Sequence, residues 1–108
     1  MELTLDLIGG KWKPIIIFHI GNQSVLRYGE LKRLIPSINE RVLSRELKSL
    51  ENAKLIQKEK FDEKILRVEY RLTSYGEEVL PILNALTQWG NNYNKEFKYA
   101  KVICDEEK

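Results

Sequence analysis

The spacing of apolar residues shifts along the chain, and each shift marks an element. Leu3, Leu5, Leu7 and Ile8 are interleaved with Glu2, Thr4 and Asp6 and followed by Gly9-Gly10, the pattern of a short helix halted by glycine. Lys11-Trp12-Lys13 leads into Pro14, which suits a first helical turn. Pro14 to Ile20 is apolar nearly all round, which predicts a buried helix closed by Gly21-Asn22. Val25 to Tyr28 predicts a short extended piece. Leu31, Leu34 and Ile35 then return to helical spacing until Pro36-Ser37. Asn39 is placed as the N-cap of a further helix, from about Glu40 to Ala53, with Ile38 and Leu43 flanking the cap as a hydrophobic staple. Leu43, Leu47 and Leu50 share one face of that helix, and Arg41, Arg45, Lys48 and Asn52 share the other. Residues 29–53 therefore predict helix, tight turn, helix, with an apolar inner face and a basic outer one.

The period changes to two after Leu55. Leu55 to Phe61 predicts one strand, and Leu66 to Leu72 a second, with Leu66, Val68, Tyr70 and Leu72 inward and Arg67, Glu69 and Arg71 outward. Asp62-Glu63-Lys64 is the charged turn between them. Thr73 caps a long helix with Glu77 and Glu78 near its start, where negative charge is favoured. Val79, Leu83, Leu86, Tyr93 and Phe97, with Trp89 beside them, form its stripe, and because that stripe continues past Pro81, the proline predicts a kink or local adjustment rather than a stop. From Ser74 to Lys98 it would reach about 37 Å at 1.5 Å per residue, more than a three-helix core can cover. Its stripe needs a second surface, and a symmetric partner is the usual one.

Composition narrows the class. The chain has 108 residues, a single domain by size, with 43% apolar and 31% charged residues. No apolar run approaches the roughly 20 residues of a membrane helix. One cysteine precludes a disulfide framework within the chain, and one histidine removes most zinc, triad and acid–base templates. An intracellular protein without catalysis, metal or obligate cofactor is expected. Net charge is only +2, but residues 11–72 hold 14 Lys/Arg against 8 Asp/Glu. Such a basic middle between mildly acidic ends is the footprint of a polyanion partner.

The order helix, helix-turn-helix, hairpin is that of a winged helix: mainly α with a small β-hairpin. In that arrangement the second helix of the motif lies in the DNA major groove and the hairpin reaches along the backbone or into the minor groove. Asn39, Arg41, Ser44 and Arg45 are the candidates for base contact. Lys48, Arg27, Lys58, Lys60 and Lys64 are the candidates for phosphate, with Arg67 just beyond the turn.

The blocks LDLIGGKW (5–12), YGELKRLIP (28–36), INERVLSRELKSL (38–50) and VEYRLT (68–73), with Gly76 and Trp89-Gly90 after them, resemble the HxlR-type helix-turn-helix transcriptional regulators of bacteria. The resemblance covers about residues 3 to 97. It implies a cytoplasmic, nucleoid-associated homodimer on double-stranded operator DNA, with residues 1–10 and 74–100 as dimerisation helices, 29–53 as the helix-turn-helix and 55–72 as the wing. Leu3, Leu7, Trp12, Leu83, Leu86, Trp89, Tyr93 and Phe97 would form the dimer interface. A dimer of this kind has room for a small-molecule effector, although no residue identifies one. Some relatives sense thiol-reactive compounds through a cysteine upstream of the first block. Met1 to Thr4 include none, and the wing FDEKILRVEY lacks the prolines found in many relatives.

Other features point elsewhere only weakly. Gly9-Gly10-Lys11 lacks the glycine five residues before the Gly-Lys pair and the hydroxyl after it that a phosphate loop requires. His19 has no second histidine with which to hold a metal. Cys104 lies among acidic residues, which disfavour its thiolate. A winged-helix module that binds protein in place of DNA is the rival from another class. It would have no use for the Arg41/Arg45/Lys48 cluster.

Overall fold

A computed structural model describes residues 1–61, 64 and 67–99. Asp62 and Glu63, expected in the turn, Leu66, expected in the second strand, and Cys104 lie outside them. The described elements run α1 (Glu2–Ile8), α2 (Trp12–Gln23), β1 (Leu26–Arg27), α3 (Tyr28–Leu34), α4 (Glu40–Asn52), β2 (Ile56–Phe61), β3 (Arg67–Leu72) and α5 (Ser74–Phe97).

The core forms where the apolar faces of α2, α3, α4 and the start of α5 meet the sheet. Ile16, Ile17 and Ile20 of α2, Leu31 of α3, and Leu43, Leu47 and Leu50 of α4 are all buried, with Ile38, Ile56, Tyr70 and Val79. The staple residues Ile38 and Leu43 are both in this cluster. Leu43, Leu47 and Leu50 commit one stripe of α4 to the core, which leaves its opposite stripe to solvent.

Several boundaries differ from the sequence expectation, each for a physical reason. The second helix passes through Gly21-Asn22 and stops at Ser24, which takes a positive φ of 68°. Gly21 serves packing: a Cβ there would lie 2.7 Å from Cδ2 of Leu80, so the missing side chain lets α5 approach. The extended piece at Leu26–Arg27 is a third strand. It pairs antiparallel with β3, Leu26 opposite Tyr70, so the sheet has the order β1-β3-β2. On β3 the predicted alternation is blunted. Tyr70 is buried, but Arg67, Glu69 and Arg71 are half-buried beside Val68 and Leu72. Glu69 draws the two arginines in, with Arg67 Nε at 3.3 Å and an Arg71 nitrogen at 3.8 Å. At Pro81 the expectation and the structure agree: the helix does not stop there but runs on through 24 residues.

One joint holds the wing to the long helix. The Thr73 hydroxyl donates to the Lys54 carbonyl at 2.6 Å and accepts the Gly76 N–H at 3.2 Å, while the Thr73 N–H donates to the Leu55 carbonyl at 3.0 Å. Gly76 sits directly against that Leu55 carbonyl, where no Cβ would fit. The connection between α4 and β2, at Lys54 and Leu55, is therefore tied to the start of α5 at one point.

Candidate nucleic-acid interface

The exposed side of α4 is built by its cap. Asn39 has extended backbone, and its Oδ1 accepts the Val42 N–H at 2.9 Å, which sets the phase of every later residue on the helix. That phase turns Arg41, Ser44, Arg45 and Lys48 outward together, since positions three, four and seven apart share a face. All four are exposed, as is Asn39.

Two contacts brace this helix from below. Glu46 lies between α2 and the outer face, 3.6 Å from Lys13 Nζ and 3.6 Å from an Arg45 guanidinium nitrogen. Its carboxylate is well covered, while the Arg45 side chain stays 66% exposed and open to a ligand. Tyr28 opens α3, and its hydroxyl donates to the Glu40 carbonyl at 3.1 Å and lies 3.2 Å from Ser44 Oγ. The first helix of the motif is thereby fastened to the first turn of the second.

The other candidate residues gather around Tyr28. Lys48 and Lys58 line one recess with Tyr28 and Ser44. Arg27 and Arg67 line a second recess on the other side of Tyr28. Lys58 and Lys60 share one face of β2, and both are exposed, as is Lys64 at the wing turn. Arg67 is the most engaged of the set: besides its contact with Glu69, its guanidinium carbon lies 4.2 Å from the centroid of the Phe61 ring. Arg27 is exposed, and its N–H donates to Glu30 at 2.8 Å, which fixes the start of α3.

The apolar candidates divide into two groups. Leu83, 5% exposed, belongs to the chain's own core, and Trp12 is half-buried against that core. Leu3, Leu7, Leu86, Trp89, Tyr93 and Phe97 are open to solvent. Tyr75 and Ile82 are exposed on α5 as well, and Leu5 on α1. No helix among the described residues is long and apolar enough to cross a membrane.

Sequence reasoning missed the work of Tyr28 and Glu46. A tyrosine at the first position of the motif needs a partner for its hydroxyl once its ring is half-buried, and that is the signal that would have pointed across to α4.

An exposed basic helix behind a short turn, flanked by a basic hairpin, has close counterparts among known proteins. The family model of HxlR-like helix-turn-helix proteins matches residues 7–98. The chain belongs to that family. Among the relatives of this HxlR-like protein, the HTH-type transcriptional regulator YdzF of Bacillus subtilis is 42% identical over 89 residues, 82% of each chain. YtcD, also of Bacillus subtilis, is 39% identical over 93 residues, 86% of this chain and 73% of its own. The crystal structure of YtcD superposes with a TM-score of 0.82 over 87% of this chain and 95% of that one. The redox regulator HypR in its oxidized form superposes at 0.79, with 37% identity over 84% and 93% of the two chains. This HxlR-like chain is a winged helix-turn-helix, DNA-binding transcriptional regulator and not an enzyme.

Proposed function

We propose that two copies of the chain pair through α1 and the distal half of α5, and that the pair reads an inverted-repeat operator. The observation that carries this is the division of α5: Val79 and Leu83 enter the chain's own core, whereas Leu86, Trp89, Tyr93 and Phe97 continue the same helix and are exposed among the described residues. Exposed leucines on α1 supply further apolar area. A two-fold contact would present two copies of α4 on one side, about 34 Å apart, the spacing of successive major grooves.

Within each half-site, Asn39, Arg41, Ser44 and Arg45 face base edges. Arg27, Lys48, Lys58, Lys60 and Lys64 meet phosphates, and Arg67 supports the wing. Arginine suits guanine O6 and N7 by its two-pronged donors, while lysine acts as a point charge on phosphate. Of the carboxylates near this face among the described residues, Glu46 is paired with Lys13 and Arg45, and Glu51 shares the recess of Lys48 and Lys58.

The deciding experiment is fluorescence anisotropy on a labelled duplex from upstream of the gene for this chain, titrated across salt beside a scrambled duplex. Tighter binding to the native duplex, with log K falling linearly against log salt, supports the operator reader and counts its phosphate contacts. Failure to bind either duplex at low salt would favour a protein-binding winged helix.

A further inference from the structure

We propose that Tyr28 makes Ser44 an acceptor-only contact to DNA, so that Ser44 selects an exocyclic amine, adenine N6 or cytosine N4, at one major-groove position of each half-site. The inference rests on α4 entering the major groove, as proposed above.

The argument is one of proton counting. The Tyr28 oxygen lies 3.1 Å from the Glu40 carbonyl oxygen and 3.2 Å from Ser44 Oγ. A carbonyl oxygen only accepts, so the first contact takes the single proton of the tyrosine. The Tyr28 oxygen then accepts from its other neighbour, and that bond takes the single proton of Ser44. This is the one arrangement in which both contacts are hydrogen bonds. The reverse, with Tyr28 donating to Ser44, would set two lone-pair oxygens against each other at 3.1 Å. Ser44 is left with lone pairs facing outward between Arg41, Arg45 and Lys48.

A hydroxyl that can only accept is a different instrument from a free serine. In the major groove, adenine and cytosine offer amine donors, whereas guanine O6 and N7 and thymine O4 offer acceptors. Ser44 would meet the first pair with a hydrogen bond and the second with oxygen–oxygen repulsion. Phosphate oxygens also only accept, so Ser44 is excluded from the backbone contacts available to Lys48 and Lys58 in the same recess. Tyr28 is the positioning residue in this scheme, and Ser44 touches the base. Without the phenol oxygen the Ser44 rotor would be free to turn its proton toward DNA and tolerate either kind of base.

The test is selection of a random duplex library by the full-length protein, followed by sequencing. Ser44→Ala identifies the position, as the one that loses its preference. Wild type is expected to favour one base pair there by about fivefold or more, the lower bound for a good base contact, and to lose that preference when the amine of the favoured pair is deleted, by purine in place of adenine or 2-pyrimidinone in place of cytosine. Tyr28→Phe is expected to bring that preference below about twofold while other positions persist, and Tyr28→Phe/Ser44→Ala to match Ser44→Ala. Wild-type binding unchanged by deletion of that amine overturns the proposal, as does a Tyr28→Phe consensus identical to wild type. A library from which wild type enriches no sequence at all would instead sink the placement of α4 in the groove, and the proposal with it.

Discussion

Trp89 and Tyr93 stack on the outer side of α5 with ring centroids 5.5 Å apart and 21° between their planes. Phe97 extends the row, 4.8 Å beyond Tyr93. Spacing of four residues puts the three rings in line, yet Trp89 is 67% and Phe97 65% exposed. Rings of this size bury roughly 150–250 Å² each when covered, so an uncovered row is a strong driver of association. Trp89→Asp is expected to shift the sedimentation of the protein from dimer to monomer. Its far-UV circular dichroism should stay close to wild type, because Trp89 contributes nothing to the chain's own core. A profile unchanged from wild type would remove Trp89 from the interface.

Asn39 has two duties that can be separated. Its Oδ1 caps α4, leaving the amide nitrogen to donate to DNA. Asn39→Ala should lower stability by about 1 kcal/mol in urea unfolding, the usual cost of an N-cap, and weaken operator binding as well. Asn39→Asp keeps the cap oxygen and should hold the unfolding midpoint near wild type. It should still weaken DNA binding, since it replaces a donor with a negative charge. Equal binding by Asn39→Asp and wild type would confine this residue to the cap.

Much of this was legible in the sequence because the signals were local. The cap at Asn39, the leucine face of α4 and the Thr73 start of α5 each depend on residues within one or two turns. What was hidden depends on contacts far apart in the chain. Gly21 reads as a stop until Leu80, 59 positions later, is seen to need the space. Leu26 gives no sign that it pairs with Tyr70, since a two-residue strand has no period. Leu83 and Leu86 look alike on a helical stripe, and only the packing of α2 on α5 decides that the first is core and the second is surface. The cationic residues could be named from the sequence one by one. Its arrangement around Tyr28, and the proton bookkeeping at Ser44, needed the fold.

Arg45 and Lys64 should fail in different ways. Arg45 stands on the exposed face of α4, held at 3.6 Å by Glu46. Arg45→Ala should weaken operator binding by about 1–3 kcal/mol and relax discrimination at one position, the signature of a lost base contact. Lys64, exposed at the wing turn, should act through phosphate. Lys64→Ala should weaken operator and scrambled duplex evenly and reduce the slope of log K against log salt by about 1. The two variants compared on both duplexes across salt make the check. Identical behaviour would remove the division of labour between α4 and the wing.

His19 gives the fold a pH dependence whose sign can be worked out. It is half-buried on α2, its ring edge-on to Phe18 at 5.6 Å, and it borders the apolar recess between α2 and α5 with Ile15, Leu83 and Leu86. Burial disfavours the imidazolium and holds the pKa below the ordinary 6.5. The unfolded chain therefore binds this proton at a higher pH than the folded chain does. Stability from this group is full above 6.5 and is lost as pH falls through 6.5 toward the folded value. The urea midpoint of wild type should drop between about pH 7.5 and about pH 5.5. His19→Gln cannot charge, so its midpoint should fall less over the same interval. As the only histidine in the chain, His19 has no second imidazole to mask the difference. A fall of equal size in both proteins would place the pH dependence on other groups and show that the α2–α5 seam admits the charged ring without cost.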